Sequence, residues 1–113
     1  FNSNPMGIEY SLETLSELGT KDSKKYLITP GLIELGSDQY SINYAFATEA
    51  SLIIDHALVV GFTNKRSLMA GFEENNTPAN WFINRDEAVA FLNSIVESDD
   101  IVLFENDLPD HYP

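Results

Sequence analysis

The sequence predicts a three-layer α/β domain with a mainly parallel sheet and helices on both faces. Short apolar runs recur at Lys25–Thr29, 57–61, 81–83 and Ile101–Phe104, each bounded by Gly, Pro, Asn or Asp. Between them, apolar residues fall at the three- and four-residue spacing of a helix face. Regular alternation of the two patterns favours parallel strands, because each helix returns the chain to the same end of the sheet.

Taken in order, Asn4-Pro5 opens a helix: Asn caps and Pro suits the first helical position. Ile8, Leu12 and Leu15 continue it at i, i+4, i+7, and Gly19 ends it. Lys25–Thr29 is a strand that empties into Pro30-Gly31. Asp38 starts a second helix that runs to about Leu52, with Tyr40, Tyr44 and Ala47 on one face. The run 57–61 is nearly all apolar, which suits a strand covered on both sides. Asn64 opens a short helix through Leu68, Met69 and Phe72, and residues 73–79, with Asn75-Asn76-Thr77-Pro78, form a loop. Trp81-Phe82-Ile83 is a third strand. Asn84 and Glu87 have the spacing of a capping box, ahead of Ala88, Phe91, Leu92 and Ile95. Asp99-Asp100 turn the chain into the strand Ile101–Phe104, and an acidic, Pro-containing tail follows. The order begins with a helix, so a strand ahead of Phe1 would complete a first βαβ unit, and the chain reads as a piece of a larger protein.

A length of 113 residues suits one domain, long enough to hide roughly two-thirds of its unfolded surface. The chain has no cysteine, which excludes disulfides and thiolate metal sites. No run approaches the ~20 apolar residues of a membrane span and no signal-peptide pattern is present, so the expectation is a cytosolic protein without a membrane partner. Six basic residues face eighteen acidic ones, a net charge of −12. That balance argues against nucleic acid as a partner, because neutralising phosphates requires clustered Lys and Arg.

The chain carries neither a Walker-type phosphate loop nor a GxGxxG turn, and no nucleophile, base and acid stand out as a triad. Of its two histidines, His56 begins an apolar strand and reads as structural, and His111 lies in the tail. Four features remain. Asn2-Ser3-Asn4 stands at a helix start, where backbone N–H groups and the dipole attract anions, or else simply caps it. The loop over residues 30–36 carries Glu34 between Gly31 and Gly36, either as a binding group or as a solvated turn residue. Asn64-Lys65-Arg66 follows the second strand as an anion site or a plain cap. Glu105-Asn106-Asp107 follows the last strand directly, as part of a site or as a solvated tail. Loops that follow parallel strands share one rim of the sheet, the usual place for ligands in such folds.

These stretches resemble the C-terminal, Rossmann-like domain of the Mur ligases, the ATP-dependent amide-forming enzymes of peptidoglycan precursor synthesis. Phe1-Asn2-Ser3-Asn4-Pro5 is similar to the family's Tyr-Asn-Ala-Asn-Pro at a helix start. Pro30-Gly31-Leu32-Ile33-Glu34-Leu35-Gly36 matches in part its Gly-Asp-Met-Leu-Glu-Leu-Gly, in the branch that adds D-alanyl-D-alanine to a UDP-linked muramoyl tripeptide. The last strand fits in place and spacing, so the likeness runs over essentially the whole chain.

The resemblance implies that residues 1–113 are the last domain of a three-domain enzyme, inactive alone. The central domain would hold the phosphate loop and most contacts to ATP and magnesium. This domain would close over the nucleotide and help bind the incoming amino acid or dipeptide. Carried over by position, Asn2 and Asn4 would face the nucleotide and the cleft between domains, while Gly31, Glu34, Gly36, Glu105 and Asn106 would line the amine-substrate site. The expected partners are the N-terminal and central domains of the same chain and a UDP-linked muramoyl peptide. Two departures stand out: Gly31 replaces the family's Asp, and Glu105-Asn106-Asp107 replaces Lys-Gly-Ser. The second puts an anion where a cation would meet a dipeptide carboxylate. A different class of reading is a standalone binding or regulatory domain of response-receiver type, which would need a phosphorylatable Asp where the middle strand ends in Gly61.

Overall fold

The computed structural model describes residues 23–33 and 35–105. The elements in chain order are β1 (Lys25–Thr29), a 3-10 turn (Gly36–Asp38), α1 (Gln39–Ala50), β2 (His56–Val60), α2 (Lys65–Glu74), β3 (Ala79–Phe82), α3 (Arg85–Asn93) and β4 (Ile101–Phe104). Among the described residues the strands form one all-parallel sheet in the order β3-β2-β1-β4. This is a small Rossmann-like α/β fold. The helix expected after Asn4 lies outside the described residues.

Strand side chains alternate between two cores. Leu27, Ala57 and Val59 point to the face covered by α1 and α2, where Phe46, Ala47, Ala50, Leu68 and Phe72 meet them. Tyr26, Ile28, Leu58 and Val60 point to the opposite face and pack on Ala88 and Leu92 of α3. Helices therefore cover both faces, as the alternation predicts. Complete burial of a side chain the size of Phe72 contributes about 2–3 kcal/mol. The two helices of the first face sit very close: a Cβ on Gly71 would lie 2.6 Å from Ala47 Cβ and 2.9 Å from the Tyr44 carbonyl.

Local chemistry sets the element ends. β3 begins at Ala79, two residues before the expected start at Trp81, because pairing with β2 resumes as soon as the chain leaves Pro78, whose carbonyl accepts from Ala57 N at 2.9 Å. β2 ends before Gly61, which takes φ +83°. The Asn84 side chain caps α3 by accepting from Glu87 N at 2.9 Å, as its spacing predicts. For α1 the apolar face differs from the expected one. Asn43, Phe46, Ala47 and Ala50 are buried, whereas Tyr40 is 48% exposed and stacks on half-buried Tyr44, with ring centroids 6.3 Å apart. The helix is rotated to bury an asparagine, for reasons that lie in the loop after β1.

Candidate functional site

The sheet order sets one switch point among the described strands. From β1 the chain steps through α1 to β2 and through α2 to β3 on one side, then returns through α3 to β4 on the other side of β1. The strand order reverses between β1 and β4, so the carboxyl ends of these two strands flank the topological switch point where open α/β sheets bind ligands. Pro30 and Gly31 leave β1 there, and Glu105 leaves β4 there. Glu105 N donates to the Ile28 carbonyl at 3.0 Å, extending the ladder one residue past β4, and Glu105 is 3% exposed.

The β1 loop is built from its backbone outward. Thr29 is fully buried, and its Oγ1 accepts from Gly31 N at 2.9 Å, which turns the chain sharply after Pro30. Gly31 takes φ +82°. A Cβ there would overlap Asn43 Oδ1 and lie 2.9 Å from Asn64 Nδ2 and 3.0 Å from Leu68 Cδ1. Glycine is thus required twice, by the left-handed backbone and by the amides that occupy the Cβ position. A larger side chain at this position has no room.

Three amide side chains surround the turn. Asn64 Nδ2 donates to the carbonyls of Pro30 at 2.9 Å and Leu32 at 2.8 Å. Asn43 Oδ1 accepts from Leu32 N at 2.7 Å, and Asn43 Nδ2 donates to the Leu32 carbonyl at 3.0 Å and to Asn64 Oδ1 at 3.1 Å. Gln39 Nε2 donates to the Leu32 carbonyl and, at 2.7 Å, to Asn64 Oδ1, while Gln39 Oε1 accepts from Leu35 N at 3.1 Å. Asn43 and Asn64 are buried and Gln39 is half-buried. The groups are neutral, so the clamp adds no charge to the switch point.

The structure treats the candidate residues unequally. Gly31 and Glu105 flank the switch point. Gly36 is exposed at the start of the 3-10 turn, with φ +60° and open space where a side chain would be. Asn2, Asn4, Glu34 and Asn106 lie outside the described residues. Asn64 precedes α2 but makes no capping bond with its side chain. It turns to the β1 loop instead, because the carbonyls of Pro30 and Leu32 are buried there and need donors. Lys65 and Arg66 lie over aromatic rings, Lys65 Nζ 3.8 Å from the Trp81 centroid and Arg66 5.9 Å from that of Tyr40. Arg85 lies 4.9 Å from the ring of Phe104, at the carboxyl end of β4. His56 sits at the opposite end of the sheet, its Nε2 2.6 Å from Asn80 Oδ1.

Gln39 and Asn43 were not among the expected site residues. The signal was present for Asn43, which stands at i, i+4, i+7 with Ala47 and Ala50, and a polar residue on an apolar stripe calls for a specific partner. Among the described residues no group of three or more His, Asp or Glu is placed to hold a metal, and no helix is long and apolar enough to cross a membrane. No family model matches the chain, and no curated protein matches it.

Proposed function

We propose that this chain is the C-terminal domain of an ATP-dependent carboxylate–amine ligase of the Mur type, acting in peptidoglycan precursor synthesis, and that the crevice between β1 and β4 helps bind the incoming amine. The supporting observation is a convergence. Two stretches that carry the resemblance, the turn that opens at Pro30 and the last strand, are far apart in sequence and lie side by side at one switch point. The sheet order also differs from the 2-1-3-4-5 order of receiver-type domains, which weakens the standalone regulatory reading.

In this reading, phosphoryl transfer from ATP, with its magnesium, belongs to the central domain, as the family resemblance implies. The reaction is cytoplasmic, where ATP and the UDP-linked muramoyl peptide are both found. The part of this chain is to orient the amine as it attacks the acyl phosphate. Glu105 governs which amine is accepted: a buried carboxylate favours a cationic group and repels a carboxylate.

The test uses the full-length protein with ATP, a UDP-linked muramoyl peptide and a panel of amines with and without free carboxylates. Amide product and ADP are expected, with amines lacking a carboxylate near Glu105 preferred. Glu105→Lys is expected to move the preference toward carboxylate-bearing amines by about tenfold, the worth of one charge-assisted contact. An unchanged profile removes Glu105 from the site, and failure to join any amine overturns the ligase reading.

A further inference from the structure

We propose that Gln39, Asn43 and Asn64 are positioning residues that hold the β1 loop in a preformed binding geometry, so that affinity for the amine depends on an amide clamp which never touches it. This rests on the ligase reading of the same crevice.

The clamp does more than satisfy buried groups. The Leu32 carbonyl has two lone pairs, yet Gln39, Asn43 and Asn64 all donate to it. Its position is therefore specified from three directions, by side chains from α1 and from the β2–α2 junction. Asn64 also forgoes the capping bond that an Asn before a helix ordinarily makes. A locally favourable interaction is given up for one that fixes a loop 32 and 34 residues away in sequence. Gly31 completes the device, because its missing side chain is the space that Asn43 and Asn64 fill. Sites that depend on placement within a fraction of an ångström are supported this way, by side chains locked behind the contact surface. Neutral amides suit the task, since charged ones would compete with Glu105 for the ligand.

The test is Asn64→Asp in the full-length protein. The substitution keeps the shape and replaces the donor facing the Pro30 and Leu32 carbonyls with an acceptor. KM for the amine is expected to rise about tenfold to a hundredfold, while KM for ATP stays within about twofold. Hydrogen exchange at the Leu32 and Leu35 amides should accelerate, with the amides of β2 unchanged. Gln39→Ala, at a half-buried position, provides a milder second variant with the same split and a smaller rise. Accelerated loop exchange with both KM values unchanged overturns the positioning role and leaves a structural one. Unchanged loop exchange overturns the clamp itself, and neither result touches the ligase reading. A wild-type protein that joins no amine overturns that reading, and the role in amine binding with it.

Discussion

The two ends of β1 are anchored by opposite chemistry. At the amino end, Asp55 Oδ2 accepts from Lys25 N at 2.8 Å, and Asp100 accepts from Lys24 N at 3.0 Å and from Glu97 N at 2.9 Å. Asp55 is exposed and Asp100 partly so. At the carboxyl end, buried amides do the same work. The difference follows from solvent. A carboxylate is a strong acceptor for backbone N–H groups where water shares its charge, but burying one without a cation costs several kcal/mol. The amino end is correspondingly anionic: burial first, then Asp100, Glu97 and Asp55, raise the Tyr26 phenol above its ordinary pKa. At the carboxyl end the side chains that hold the loop are neutral amides.

The largest expected effect comes from Gly31→Ala. The new Cβ must displace Asn43 Oδ1 from its bond to Leu32 N and hold an L-residue at φ +82°. Left-handed strain and overpacking together predict a loss of about 3 kcal/mol in urea denaturation. A cost below about 0.5 kcal/mol would mean that the amides are loose and the contrast between the two ends is illusory.

Asn43→Asp transfers the chemistry of one end to the other. Its carboxylate would face the Leu32 and Gln39 carbonyls and Asn64 Oδ1, all acceptors. A loss of about 2–3 kcal/mol is expected near pH 7. Burial raises the pKa of the new carboxyl, so the charged form is the destabilising one, and part of the loss should be recovered as pH falls and the group protonates to become a donor. Denaturation at pH 5 and pH 8 measures this, and a cost independent of pH would show that the position is not sealed from water.

The reach of sequence reasoning divides along the same line. β1 and β4 were legible to the residue because apolar runs end at Pro30 and begin after Asp100. The Asn84 cap was legible because donor and acceptor stand three residues apart. The clamp was not, because all but one of its hydrogen bonds span 7 to 34 residues and only the fold brings the partners together. Asn64 has the local signature of a cap, and Tyr40 and Tyr44 have the spacing of a core stripe. Both readings lose to buried carbonyls at Pro30 and Leu32, whose demand is a property of the tertiary structure. Periodicity likewise identifies strands without their order, so the switch point emerges only when β4 is seen beside β1.

The smallest effect belongs to Asp100→Asn, and its value lies in its direction. The N–H of Glu97 and then that of Lys24 hold the Asp100 carboxyl below its ordinary pKa. A carboxyl with a lowered folded-state pKa stabilises the fold above the unfolded value of about 3.9 and loses that contribution as pH falls through the folded value. Asp100→Asn should therefore be less stable than wild type at neutral pH, and the gap should close below about pH 4. Wild type and variant compared by thermal unfolding across pH 3–7 test it. A gap that widens in acid would mean that the carboxylate is not what holds the amino end, and that the two ends of β1 differ less in chemistry than their hydrogen bonds indicate.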